Sequence, residues 1–147
     1  MKILLAVDGS EPSGEAVRAV ADRPWPSGTV VRVMHAVSTP TPPVVGEITY
    51  MSQDVAAVQQ ENKKAGEEVV SAAANSLAGG QLQVETVLRE GKADVEIVEE
   101  AKEWGADLIV IGSHGYTGLK RLVLGSVAQS VVGRAPCSVE VARRKER

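Results

Sequence analysis

The sequence predicts an α/β protein in which an open parallel sheet lies between two layers of helix, a three-layer sandwich. Three observations carry that reading. Continuous apolar runs stand at Ile3 to Val7 and at Leu108 to Ile111, as strands buried on both faces require. Helix-period stripes alternate with strand-like segments from end to end, the pattern of a βαβ series. The 147 residues show no repeat or linker, which predicts one domain over 1–142 and a short basic tail at 143–147.

Taken in order, Ile3 to Val7 is the first strand. Ser10 caps a helix that carries Ala16, Val17, Val20 and Ala21 on one stripe and ends at Pro24 and Pro26. Val30 to Val37 is the second strand. The Pro-rich run 39–43 that follows fits neither helix nor central strand and is read as a loop. A long helix spans about Ser52 to Leu77, with Val55, Val58, Ala65, Val69 and Ala72 as its apolar stripe and Gly79-Gly80 as its stop. Leu82 to Leu88 alternates and is the third strand. Ile97, Val98, Ala101 and Trp104 mark a third main helix, capped by Gly105. Leu108 to Ile111 is the fourth strand. Val127, Ala128, Val131 and Val132 form the last helical stripe, closed by Gly133 and Pro136, and Cys137 to Val141 alternates like an edge strand.

Composition removes several function classes. No apolar segment approaches the roughly 20 residues of a membrane span. The net charge of −3, with Lys and Arg scattered along the chain, lacks the footprint of a nucleic-acid binder. The lone Cys137 forms no internal disulfide and reads as a buried strand thiol, and Met1-Lys2-Ile3 opens no signal-peptide pattern, so a reducing, cytoplasmic setting is expected. His114 and His35 have no partners at metal-ligand spacing, so no protein metal site is expected. His114 is assigned to shaping the loop or making one hydrogen bond, and His35 to packing near the sheet end.

The chemistry concentrates between Gly112 and Ser126, directly after strand four. Glycine lets a backbone approach phosphate oxygens closely and present several N–H donors. Gly125-Ser126 opens a helix, whose unpaired N–H groups and positive dipole end form a second anion surface. The same glycines also suit a chain turning out of a strand beneath a closely packed helix. In open sheets, ligands bind beyond the carboxyl ends of strands where the order reverses, which places Asp8, at the end of strand one, on the opposite lip. Its carboxylate is of the type that accepts from ribose hydroxyls; capping the turn before Gly9 is the alternative. Lys120 and Arg121 either neutralise phosphate charge or are solvated. The Gly-Lys-Ser/Thr ending of a P-loop, the G-x-G-x-x-G turn and the G-x-S-x-G elbow are all absent.

These residues resemble the universal stress protein family in its ATP-binding class, whose signature is G-x2-G-x9-G-[S/T]. Gly112, Gly115, Gly125 and Ser126 fall on it, and Ile3 to Ser10 and Ala106 to Gly115 are similar throughout. The resemblance implies a Rossmann-like fold of the adenine nucleotide alpha-hydrolase type with strand order 3-2-1-4-5. It implies ATP across strands one and four, with Asp8 at the ribose and backbone near Ala6, Val7 and Ala36 at the adenine. Gly112, Gly115, Gly125, Ser126 and Val127 would hold the phosphates, with Ile111 and His114 beside them, and Mg²⁺ or Mn²⁺ would ride on the phosphates. Two departures stand out. Ala93 replaces the family's proline before helix three, and Ser138 to Ala142 carries Glu140 on the last strand, where family members pair as homodimers. Like charges facing each other there would weaken the pairing.

Three functions follow as expectations. The first is an ATP-binding, nucleotide-dependent regulator of signalling or stress response, acting on an unnamed protein partner. The second is a slow ATP hydrolase or an autophosphorylating enzyme, for which only Ser113, Thr117 and Ser126 are nearby hydroxyls. Because the loop holds no acidic residue to position a nucleophile or metal, no catalytic residue is assigned. The third is a nucleotide-free interaction module, against which the glycine pattern argues.

Overall fold

A computed structural model describes residues 1–40, 44–45, 48–49, 53–114 and 124–144. Gly115, Tyr116, Thr117, Gly118, Lys120 and Arg121 lie outside the described residues, as do Tyr50, Ser52, positions 41–43 and the tail end at 145–147. In chain order the elements are β1 (Lys2–Ala6), α1 (Glu11–Ala21), β2 (Val30–Val37), β3 (Val44–Val45), β4 (Ile48–Thr49), α2 (Gln53–Leu77), β5 (Gln83–Glu90), α3 (Ala93–Trp104), β6 (Leu108–Gly112), α4 (Ser126–Arg134) and β7 (Ser138–Ala142).

The five long strands form one parallel sheet in the order β5-β2-β1-β6-β7, the predicted 3-2-1-4-5. β1 is central, with Leu5 opposite Val33 of β2 and Val110 of β6. Its apolar run is explained by two cores. Ile3 and Leu5 pack with Ala16 and Val20 of α1 and Val70, Ala73 and Leu77 of α2. Leu4 and Ala6 face the other way, toward Ile97, Val98 and Ala101 of α3 and Val131 of α4. Crossovers leave β1 and β6 in opposite directions, so a crevice opens between their carboxyl ends.

Local signals set the helix ends. Ser10 is the cap of α1, its hydroxyl oxygen accepting from the Ser13 N–H. Gly105 ends α3 in the left-handed conformation at φ 72°. The stripe expected on α2 is only partly inward, with Val69 packed against the core. Val58 is 46% exposed, and Ala65 and Ala72 are also exposed, while Gly66, Val70, Ala73 and Leu77 face the sheet. Gly66 explains the phase: a Cβ there would lie 2.9 Å from His35 Cδ2, so the helix comes closest to the sheet at a residue with no side chain. Val132 of α4, expected in the core, is 48% exposed, and Ala21 is exposed at the end of α1. The short antiparallel pair β3 and β4 was not expected from the sequence.

Glu140 also departs from expectation. Its carboxylate accepts from Arg23 Nη1 and Nη2, at 2.5 and 2.6 Å, so the charge is paired within the chain instead of standing bare on the β7 edge. On the other edge, Glu100 is buried on α3 and bonds Arg32 and Arg89, with Arg32 stacked over Trp104 at 4.3 Å.

Candidate functional site

A cavity of about 440 Å³ opens at the carboxyl ends of β1, β2 and β6. Ala6, Val7, Asp8, Ala36, Ile111, Gly112, His114, Gly125, Ser126 and Val127 all line it, so ten of the eleven residues singled out from the sequence meet in one place. The eleventh, Gly115, is outside the described residues. Ser13, Met34, His35, Ala93, Ile97, Leu124 and Ala128 complete the lining. These were missed because each reads as ordinary core or cap. Only the strand register and the helix approach bring them to the crevice.

The geometry gives several of these residues more definite roles. The Val7 N–H donates to Met34 O at 2.9 Å, and its carbonyl accepts from His35 Nδ1 at 2.8 Å. Because a carbonyl only accepts, that ring nitrogen carries the hydrogen. The Val7 N–H is therefore used inside the fold, and its carbonyl already accepts one hydrogen bond. Asp8 Oδ1 accepts from both the N–H and the hydroxyl of Ser10, the turn-capping role. Both bonds fall on one oxygen, and Oδ2 makes no hydrogen bond among the described residues.

Two signature glycines serve the fold. A Cβ on Gly112 would stand 2.5 Å from the Pro12 carbonyl oxygen and 2.9 Å from the Ser13 nitrogen, both backbone atoms, so the amino end of α1 packs directly on this residue. Gly125 has an ordinary extended backbone, φ −61° and ψ 157°. Its N–H donates to Ser113 O at 2.8 Å, and its carbonyl accepts from the Gln129 N–H at 3.0 Å. The Gly125 bond draws the ends of the loop together, since Ser113 is itself tied to Ala142 O. The Gly125 N–H is thus used within the fold. The first helical bond of α4 is made by Gln129, which leaves the N–H groups of Ser126, Val127 and Ala128 without intrahelical acceptors.

The electrostatics favour an anion on an apolar floor. The amino ends of α1, α3 and α4 all reach the cavity, through Ser13, Ala93 and Ser126, and each brings partial positive charge. Asp8 is the one carboxylate among the described lining residues, and none of those is Lys or Arg. His114 Nδ1 lies 3.2 Å from Ser113 Oγ, while its Nε2 is buried with no partner among the described residues. A ligand atom would satisfy it. Among the described residues, no three His, Cys, Asp or Glu side chains form a cluster suited to a metal ion. Cys137 lies half-buried just before β7; burial, and secondarily Asp107, push its thiol up, opposite to a reactive thiolate.

Comparison with known proteins agrees with this architecture. Residues 1–143 match the model of the universal stress protein family. Universal stress protein YxiE of Bacillus subtilis is 33% identical over 146 residues, covering 97% of this chain and 98% of that protein. The solved structure of hypothetical protein MJ0577 superposes with a TM-score of 0.73 at 26% identity, over 99% of this chain and 97% of that one. A family member from Arabidopsis thaliana, solved with AMP bound, has the same fold, with a TM-score of 0.70 at 19% identity and coverage of 99% and 92%. Strand order, the Gly112 and Gly125 positions and the family match over 1–143 converge: the chain belongs to the universal stress protein family.

Proposed function

We propose that the cavity binds ATP, and that the protein is a nucleotide-dependent regulator of signalling or stress response. One observation carries the reading. An apolar cavity at the β1/β6 crossover point has a carboxylate, Asp8, on one lip and three N–H groups of a helix amino end on the other. Its volume is within the roughly 300–1,000 Å³ of small-molecule sites. The adenine would rest among Met34, Ala36 and Ile97, the ribose on Asp8 Oδ2, and the phosphates on Ser126, Val127 and Ala128. Mg²⁺ or Mn²⁺ would be carried by the phosphates. The AMP bound to the Arabidopsis protein supports an adenine nucleotide in this fold.

The working unit is proposed as the single domain 1–142, in the cytoplasm and paired with a second copy through β7. The Arg23–Glu140 pair supports that pairing by removing the charge from the edge. Protein purified from its host should release ATP or another adenine nucleotide on denaturation, and replacing Gly115 with Trp should abolish this while the fold is kept. Full occupancy in that variant would refute the loop assignment. Turnover lost on Ser126→Ala would instead support the enzyme reading.

A further inference from the structure

α4 presents its first turn to the cavity, yet it is a short element with weak anchors. It has nine residues, of which Ala128 and Val131 are buried. The Gly125–Ser113 bond fixes where the helix begins. It does not fix rotation about the helix axis, and that rotation aims the N–H groups of Ser126, Val127 and Ala128. On a cylinder of roughly 2 Å radius, turning by about 25° displaces a backbone nitrogen by about 1 Å. Such a shift is enough to spoil a hydrogen bond.

Val127 packs against the core beside α3, and the polar positions that continue its stripe meet one side chain of that helix. Val127, Ser130 and Arg134 follow one another at spacings of three and four, and so lie on one face. That face meets Asp94, in the first turn of α3. Ser130 Oγ donates to Asp94 Oδ2 at 2.7 Å, and Arg134 Nη1 lies 3.3 Å from the same oxygen. Lys92 Nζ is 3.9 Å from Oδ1. Asp94 is 8% exposed, and both of its side-chain hydrogen bonds fall on Oδ2, while Oδ1 is buried with no hydrogen-bond partner among the described residues. It follows Ala93, which lines the cavity, but does not line the cavity itself. A buried charge one residue away from the site, bonded to the helix that carries the donors, has the placement of a positioning group.

We propose that Asp94 and Ser130 form a positioning pair that sets the rotation of α4 and so aims its amino-end donors at the bound anion. The proposal rests on the reading of that turn as the phosphate subsite. The variants are Ser130→Ala, Ser130→Thr and Asp94→Ala, with ATP and adenosine affinities measured by calorimetry. Ser130→Ala should weaken ATP about tenfold and leave adenosine within about twofold, the loss of one charge-assisted hydrogen bond read through the phosphates alone. Ser130→Thr should restore ATP binding, and adding Asp94→Ala to Ser130→Ala should cost little more than either alone. Equal losses for ATP and adenosine, or no loss for ATP, would overturn the pair's role. If the unaltered protein binds neither ligand, the nucleotide reading fails by itself. Hydrogen exchange at the Gln129 and Ser130 amides of the free protein then decides the pair: about tenfold faster in Ser130→Ala with rescue in Ser130→Thr supports it, and unchanged rates refute it.

Discussion

Val127→Pro isolates the donors of α4 from everything else in the site. The Val127 N–H has no intrahelical acceptor, because the ladder of α4 begins with the Gln129 N–H on Gly125 O. Proline there removes a donor and no helical bond. The protein already tolerates this arrangement, since Pro12 occupies the same second position of α1. The replacement is also apolar and similar in bulk, so the cavity wall is kept. A backbone N–H on a phosphate oxygen contributes about 1.5–3 kcal/mol, the range for charged acceptors. ATP affinity should therefore fall by roughly tenfold to a hundredfold, at about 1.4 kcal/mol per tenfold. Adenosine, which carries no phosphate, should bind as before. Calorimetric titration of both ligands reads the difference, and a melting temperature within about 4 °C of the parent verifies the fold. Unchanged ATP affinity in a folded variant, or equal weakening of both ligands, would refute the assignment of phosphate to this turn.

Other residues give separate tests. Gly112→Ala forces a Cβ against the Pro12 carbonyl and should destabilise the fold by about 1–3 kcal/mol, seen as a lower midpoint in urea unfolding; an unchanged midpoint contradicts the close approach. Hydrogen bonding from Ser130, reinforced by Lys92 and Arg134 and opposed by burial, holds the Asp94 carboxyl below the usual aspartate value of 3.8. Its stabilising contribution is thus complete above that value and is lost as pH falls through the lower, folded-state pKa. Stability measured from pH 5 downward should fall less steeply in Asp94→Asn than in the parent, and parallel profiles would exclude the coupling. Arg23→Ala leaves Glu140 unpaired on β7, so sedimentation should show a weaker dimer than the parent forms at equal concentration; identical association would remove β7 from the proposed interface.

Much of this architecture is legible in the residues, and the failures have physical causes. β1 and β6 announce themselves because a strand covered on both faces must be apolar throughout, and Ser10 and Gly105 act through local backbone chemistry alone. Ala65 and Ala72 of α2 face outward because the helix's approach to the sheet is governed by Gly66 opposite His35, a contact that a count of apolar side chains cannot register. Val132 was misplaced because α4 spans barely two and a half turns, too few for periodicity to fix its inner face. At the site, the positions were legible but the division of labour was not. Gly112 and Gly125 carry a family signature, while their contacts are with Pro12 and Ser113, made only after folding. The bond from the Ser10 N–H to Asp8 is the turn-capping alternative that Asp8-Gly9-Ser10 offers by itself.

The most direct test is a titration of ATP into isotopically labelled protein, followed at the backbone amides. The largest shifts should fall on Ser126, Val127 and Ala128, with accompanying shifts at Asp8 and Ala36 and almost none on the outward edge of β5. Saturable binding whose shifts lie elsewhere, or no shift at millimolar ATP in protein freed of nucleotide, would contradict the assignment of this cavity to the nucleotide.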